Sequence, residues 1–193
     1  MRLTYVDHSD NKEDQEFIDE LTKERAERGV PLGAIYKTLL GSPTICKSYH
    51  VFFNDIRYHS SVPAGINELG ICRVAALNGA AYQWAAHNPL MKKGGVSEEG
   101  AETVRTAPLY KLGEDGEGGL TKREWLVLRY ADHVTNLTVT DEVFKATMEV
   151  MDNEQQMLEL TMAIAAYNAT SRVLRALDVG EMQHTEVGKG VHH

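Results

Sequence analysis

Cysteine is scarce in this chain, which has only Cys46 and Cys72 among its 193 residues. Their spacing matches no metal-binding or redox motif, so we interpret them as a reduced, intracellular thiol pair and expect a cytoplasmic location. Long apolar runs are also missing. No stretch of about 18 apolar residues could cross a membrane, and the N-terminus lacks the features of a signal peptide, so we expect no membrane partner.

Positive charge is in deficit, with a formal net charge of −8 and no basic patch that relieves it. This balance argues against a nucleic-acid partner. An acidic chain that handles an anionic substrate needs local positive charge at its site. Metal-ligand spacing is absent as well, because His50 and His59 lie nine residues apart and no His-Glu-x-x-His motif occurs. We therefore expect no metal.

The sequence predicts one all-α domain, because it shows helical periodicity, no strand alternation and no internal repeat. We divide it into a lead-in with a surface helix (1–31), a main helical domain (32–179) and a polar tail (180–193) that we expect to be mobile. A helix beginning at Ser42-Pro43 is expected to expose an aromatic cluster made of Tyr49, His50, Phe52 and Phe53.

The stretch from Ile66 to Val96 has the strongest helical periodicity, and Asn78-Gly79 interrupts it with a turn signal. A continuous helix would separate Glu68 from His87 by ~28 Å, too far to cooperate. If the chain reverses at Asn78-Gly79, Glu68 lies ten residues before the turn and His87 eight after it. Two antiparallel helices then bring the carboxylate and the imidazole to one level. The sequence thus predicts an acid–base pair from a single hairpin.

These residues carry a family resemblance. Glu68, Asn78, the segment from Tyr82 to His87 and the following Gly95-Val96-Ser97 resemble the carboxymuconolactone decarboxylase family, in the same superfamily as the alkylhydroperoxidase D proteins. The resemblance extends weakly from about Ala34 to Val179.

The peroxidase branch of that superfamily has Cys-x-x-Cys-x-x-x-His, with a Glu twelve residues before the first Cys. Counting back from His87, the cysteine positions are Ala80 and Gln83, and the glutamate is Glu68. Both thiols are therefore missing. The form Tyr-x-Trp-x-x-His instead resembles the decarboxylase-like branch, which often has Glu at the position of Gln83.

The resemblance implies a cofactor-independent lyase that removes CO₂ from a small lactone or activated carboxylic acid, in a homo-oligomer (trimer or hexamer). His87 would supply a proton and Glu68 would orient it, while Trp84 and Gln83 would shape the pocket. The same parts would serve a proton-transfer isomerase or a lactone hydrolase. A relative without enzymatic activity is a further alternative, and its sign would be a pocket filled by Trp84 or Tyr82 packed over His87.

The other candidate site residues are weaker, because structural roles would also explain them. Trp84 shares the helix face of His87 and is the better candidate for a pocket wall, whereas Tyr82 points elsewhere on an ideal helix. Arg73 is a candidate carboxylate binder, because guanidinium groups pair bidentately with carboxylates, but a surface ion pair would also explain it. Cys72 lies four residues after Glu68, whose charge would raise rather than lower the pKa of the thiol.

Overall fold

The fold is taken from a computed structural model that describes residues 1–189, and helices form all of the regular structure in this range. The α-helices are α1 Lys12–Glu27, α2 Ala34–Leu39, α3 Pro43–Asn54, α4 Ala64–Leu77, α5 Ala81–Lys93, α6 Glu98–Thr106, α7 Lys122–Thr135, α8 Asp141–Met148 and α9 Glu154–Leu177. A π-helical turn, Asp55–His59, continues α3, and 3₁₀ turns cover Glu117–Gly119 and Val179–Glu181. The predicted all-α class is confirmed.

Side-chain caps explain where several helices begin. Ser97, Thr121, Thr140 and Asn153 each accept a hydrogen bond from a backbone N–H in the first turn of the helix that follows. Thr121 and Glu124 form a reciprocal capping box. These bonds satisfy N–H groups that have no partner within the helix.

Helix α4 forms the centre of the molecule and packs against α5, α6, α7 and α9. Every residue from Gly65 to Ala75 is buried, as expected for a helix that is surrounded on all sides. Glu68 and Arg73 are the charged residues in that run, so each needs a partner inside the protein.

The aromatic cluster on α3 faces inward more than the sequence predicted. Phe53 is buried, stacks on Tyr49 with ring centroids 3.9 Å apart and meets the edge of Tyr167. Phe52 is 40% exposed and points the other way. Residues four apart share a helix face, so Tyr49 and Phe53 turn inward together. The expectation of an exposed cluster is therefore wrong for Phe53.

The predicted polar tail packs against the body of the protein between residues 180 and 189. Val187 is buried and its carbonyl accepts a hydrogen bond from Arg105. The backbone N–H of Gly180 donates to the Tyr5 hydroxyl at 2.9 Å, which ties this segment to the N-terminal lead-in. The expectation of a mobile tail is wrong for these residues, because its contacts come from distant parts of the chain. Its last four positions, 190–193, lie outside the described residues.

Within residues 1–189, no helix combines the length and the apolar character needed to cross a membrane. The three-part division of the chain proposed from the sequence remains a prediction.

Candidate functional site

The chain reverses at Asn78-Gly79 as predicted. Helix α4 ends at Leu77, Gly79 takes a positive φ of 63°, and α5 begins at Ala81. A left-handed backbone conformation is easily adopted by glycine, which explains why this residue ends the helix. Helices α4 and α5 consequently run antiparallel and in contact.

The hairpin brings the predicted pair together. The Nδ1 atom of His87 lies 2.6 Å from Oε2 of Glu68, and both side chains are buried. An ionised carboxylate only accepts hydrogen bonds, so the proton in this bond belongs to Nδ1. The other ring nitrogen, Nε2, is then the one that exchanges a proton with a ligand. Tyr167 packs against the His87 ring in an edge-on arrangement, at 4.7 Å between centroids, and helps to fix its orientation.

His87 lines a cavity of about 110 Å³ between α5 and the N-terminal helices. Tyrosine and arginine side chains form much of its wall, together with a second histidine and a glutamate. They include Glu24, Arg25, Arg28, Tyr36, Tyr49, His50, Arg57, Tyr58, Tyr82 and Tyr167. Although the protein as a whole is acidic, three arginines line this cavity, which supplies the local positive charge that an anionic ligand requires.

Arg57 is a site residue that sequence reasoning missed. It lies in the π-helical turn after α3, and its Nε atom is 3.9 Å from Oε1 of Glu68. Among the described residues, this buried Nε has no hydrogen-bond partner. Burial lowers the pKa of the Arg57 guanidinium, but the nearby Tyr167, Tyr58 and Glu68 groups outweigh burial, so the net direction is upward and the charge persists. No local pattern marks this arginine; π-helical turns are, however, frequent at functional sites.

Tyr82 and Trp84 exchange the roles that the sequence suggested. Tyr82 and Gln83 line the cavity, whereas Trp84 is buried in the core. At roughly 100° per residue, the helix face with His87, Gln83, Ala86 and Tyr82 extends to one side of His87, and Trp84 lies on the other side. The cavity occupies the Tyr82 side, because α2 lies there and the backbone N–H of Ile35 meets the Tyr82 hydroxyl at 3.4 Å.

Gln83 is held by a hydrogen bond from its Nε2 to the carbonyl of Ile71 at 3.0 Å. Its Oε1 is buried without a partner among residues 1–189. The bond to Ile71 fixes which end of the amide is the donor, so an acceptor is left at the cavity wall. Gln83 therefore stays a candidate for ligand binding.

Arg73 does not reach the cavity. The residue is 1% exposed, and its guanidinium pairs with Asp132, with Nε 2.5 Å from Oδ1 and Nη2 3.1 Å from Oδ2. It also donates to the carbonyls of Val104 and Ala107 around the end of α6. Both the carboxylate-binding role and the surface ion pair suggested by the sequence are therefore corrected: Arg73 makes a buried, structural ion pair.

Both cysteine thiols are buried, and burial disfavours the reactive thiolate form. Burial raises the pKa of Cys46 to about 11. The pKa of Cys72 is raised well above its usual value, first by burial and then by the charge of Glu68. Within residues 1–189, no group of three or more His, Cys, Asp or Glu side chains has an arrangement that could hold a metal ion.

No protein-family model and no curated protein sequence matches this chain. Solved structures do. An uncharacterized peroxidase-related protein from Silicibacter sp. TM1040 has a TM-score of 0.74 at 15% identity, covering 95% of this chain and 94% of that one. An uncharacterized peroxidase-related protein from Ralstonia eutropha JMP134, described as an alkylhydroperoxidase AhpD core, has a TM-score of 0.70 at 14% identity, covering 94% and 96%.

A protein of unknown function from Agrobacterium tumefaciens, described as a putative antioxidant defence protein AhpD, has a TM-score of 0.59 at 19% identity. That match covers 73% of this chain and 92% of the other. Identities this low establish the fold alone. The fold implied by the sequence resemblance is confirmed.

Proposed function

We propose that this chain, which has the fold of the alkylhydroperoxidase D-like proteins, is a cofactor-independent lyase acting on a small lactone or activated carboxylic acid. The observation that carries the proposal is the buried Glu68–His87 hydrogen bond at a cavity that Arg57 also lines. Loss of CO₂ from an anion needs a group that stabilises the resulting enolate and a group that donates a proton. Arg57 and His87 are suited to these two tasks.

In the proposed reaction, the bond between the carboxylate carbon and its neighbour breaks as CO₂ leaves. The electron pair passes into the adjacent carbonyl group, which becomes an enolate. Nε2–H of the His87 imidazolium then protonates the carbon, and His87 recovers its proton from water. Each turnover releases one CO₂ and consumes one proton.

Arg57 assists most if it binds the enolate oxygen rather than the departing carboxylate. Only interactions stronger in the transition state than in the ground state accelerate a reaction, and a guanidinium on the carboxylate would oppose its loss of charge. Glu68 lies on the other side of His87 and keeps the ring oriented through Nδ1. His87 and Glu68 are both buried, and this burial strengthens their mutual interaction.

The same groups would serve two related reactions. A proton-transfer isomerase would use neutral His87 to remove a proton from carbon and the imidazolium to return it elsewhere. A lactone hydrolase would use neutral His87 to activate a water molecule. Both reactions also need Glu68 and an oxyanion partner such as Arg57.

Thiol peroxidase activity is the weaker candidate, although structural neighbours are described as peroxidase-related. The thiolate is the nucleophile in that chemistry, and Ala80 and Gln83 occupy the two cysteine positions. A protein without activity would be expected to fill its pocket. Here Trp84 packs in the core and a cavity of about 110 Å³ remains beside His87, which favours a ligand-binding site.

The test is a panel of small lactones, β-keto acids and β,γ-unsaturated acids, with CO₂ release measured together with deuterium uptake from solvent. His87→Asn is expected to lower turnover by about 10²–10⁴-fold, the usual contribution of a positioned proton donor. His8→Asn is the matched control, because the His8 side chain is 71% exposed and away from the cavity. Deuterium uptake without CO₂ would favour the isomerase. Full turnover in His87→Asn would refute the proposal.

A further inference from the structure

A second histidine–carboxylate pair lines the same cavity. Nε2 of His50 lies 2.9 Å from Oε2 of Glu24, and Nδ1 lies 3.2 Å from the Tyr36 hydroxyl. The three residues come from different helices, α1, α2 and α3, and all of them line the cavity. The roles assigned above to Glu68, His87 and Arg57 leave this chain of contacts unused.

The protonation state of Glu24 determines which atoms donate in the hydrogen bonds of His50. Burial alone would raise the pKa of its carboxyl, but the hydrogen bond from Asn54 and the charges of His50 and Arg28 outweigh burial and lower it. Glu24 is therefore ionised at neutral pH and only accepts, so Nε2 of His50 carries the proton between them. In the neutral ring, Nδ1 is then the acceptor, and the Tyr36 hydroxyl donates to it.

Asn54 supports the same arrangement. Arg28 donates to Oδ1 of Asn54 at 3.2 Å, which sets the orientation of the amide, and Nδ2 of Asn54 donates to Glu24 at 3.3 Å. Nδ2 also lies 3.2 Å from Nε2 of His50, but that nitrogen is occupied in donating to Glu24 and cannot accept. The Glu24 carboxylate is thus held by His50, by Asn54 and by an ion pair with Arg28 at 2.7 Å.

We propose that Tyr36, His50 and Glu24 form a second acid–base triad, in which the Tyr36 hydroxyl touches the substrate and His50 and Glu24 are positioning residues. This inference rests on the proposed function and extends it. When the triad acts as a base, the Tyr36 O–H proton passes to Nδ1 of His50 and the phenolate oxygen takes a proton from the substrate. The substrate loses one proton, His50 gains one, and Glu24 stabilises the imidazolium. The reverse sequence returns the proton.

The Tyr36 phenol needs a neighbouring group that accepts its proton before it can act as a base. Burial raises the pKa of its phenol above the usual value, although the charge of Arg25, which lies over the ring at 4.9 Å, and that of Arg57 oppose the shift. The phenol is therefore protonated at neutral pH and becomes a base only by passing its proton to His50. The arginines that line the cavity, Arg25, Arg28 and Arg57, would stabilise an anionic intermediate formed there.

Two proton-handling groups on one cavity point to a reaction in which protons move at two positions. In the isomerisation of a β,γ-unsaturated lactone, one group removes a proton from the α carbon and the other supplies one to the γ carbon. Simple decarboxylation needs a single proton donor. The triad therefore favours the proton-transfer isomerase, one of the two related reactions named above, over simple decarboxylation.

The first experiment follows conversion of α-angelica lactone to its conjugated isomer in D₂O by proton NMR. Tyr36→Phe is expected to lower kcat by about 10²-fold with little change in KM, because it removes only the hydroxyl. Tyr130→Phe is the matched control: its buried hydroxyl bonds to Thr161 at 2.8 Å, and Tyr130 does not line this cavity. Wild-type rates in Tyr36→Phe, with loss of activity in His87→Asn, would overturn the triad and leave the proton-transfer role proposed for His87 standing.

The second experiment does not depend on turnover. Fluorotyrosine is incorporated at position 36, and its fluorine NMR signal is followed through a pH titration. In the triad, titration of His50 shifts this signal, and His50→Gln abolishes that shift. A signal that titrates identically in both proteins overturns the triad. If the shift depends on His50 but wild type converts none of the lactone, the triad stands and the proton-transfer function fails for that substrate class.

Discussion

The buried ion pair between Arg73 and Asp132 supports a quantitative prediction. Asp132 is fully buried, and besides both contacts with Arg73 it accepts a hydrogen bond from the backbone N–H of Tyr110 at 2.7 Å. Arg73 has further bonds to two carbonyls at the end of α6. In Asp132→Asn, the guanidinium keeps its charge in the core but loses the carboxylate that balances it.

Breaking a buried pair in this way costs about 3–5 kcal/mol, because the remaining charge is left uncompensated. For a domain of this size, that loss lowers Tm by roughly 6–20 °C. Urea unfolding followed by circular dichroism measures the free energy directly, and an unchanged denaturant slope would show that both proteins unfold in the same way.

Glu102→Gln is the matched control, because Glu102 pairs with Arg105 at 2.5 Å on the surface, where its side chain is 60% exposed. Exposed pairs contribute less than about 1 kcal/mol. If Asp132→Asn were no less stable than this control, the structural role of Arg73 would be wrong. Tighter binding of small carboxylates by Asp132→Asn would restore Arg73 as a ligand-binding residue.

Three further predictions concern the site, the thiols and assembly. Glu68→Gln and His87→Ala should each lower turnover of the substrate class by about 10²–10⁴-fold, and the double variant should be little worse than His87→Ala, since residues that act as a unit are not additive. Reduction of alkyl hydroperoxide with a dithiol donor should not exceed the buffer rate. Turnover above that rate that is lost in Cys72→Ser or Cys46→Ser would show that a cysteine is catalytic and would contradict this prediction. Light scattering should detect a homo-oligomer at micromolar concentration, because apolar side chains of α3 such as Phe52 are exposed; a clean monomer would count against this.

The hairpin was predictable because its signals are local. Asn78-Gly79 is a turn dipeptide, and the counts on either side of it determine which residues meet across the two helices. The same reasoning put Glu68 opposite His87, and the structure has them in contact. Capped helix starts such as Thr121 were predictable for the same reason.

The rest of the cavity depends on contacts between distant parts of the chain. Glu24, Tyr36, His50 and Arg57 line one cavity with residues of α5 only in the folded chain, and no spacing in the sequence reports that arrangement. Helical periodicity likewise identifies the residues that share a face but not the neighbour which that face meets. The sequence therefore could not predict which side of α5 borders the cavity, and the structure shows that Tyr82 lines it rather than Trp84.

A close approach between two glycines allows the hairpin to bring the acid–base pair together. Gly65, near the start of α4, lies against Gly94, just after the end of α5. A Cβ atom at Gly65 would meet the Gly94 carbonyl oxygen at 2.3 Å, and one at Gly94 would meet Cα of Gly65 at 2.4 Å. Backbone atoms cannot rotate away as a side chain can, so a methyl group forces the two helices apart. Glu68 lies only one turn from Gly65, and its bond to His87 is expected to lengthen.

Gly65→Ala should therefore lower the free energy of unfolding by about 1–3 kcal/mol, the usual cost of overpacking. It should also lower turnover, as Glu68→Gln is expected to do. Gly70→Ala, in the same helix, is the control: its Cβ would meet Cγ1 of Ile164 at 3.2 Å, a side-chain atom that can move. Urea unfolding measures the change in stability, the turnover assay measures the change in activity, and the imidazole NMR signals of His87 report the change in its bond to Glu68. Wild-type stability and unchanged His87 signals in Gly65→Ala would contradict this prediction. They would show that α4 and α5 tolerate a wider separation and that the Glu68–His87 pair does not depend on the contact between Gly65 and Gly94.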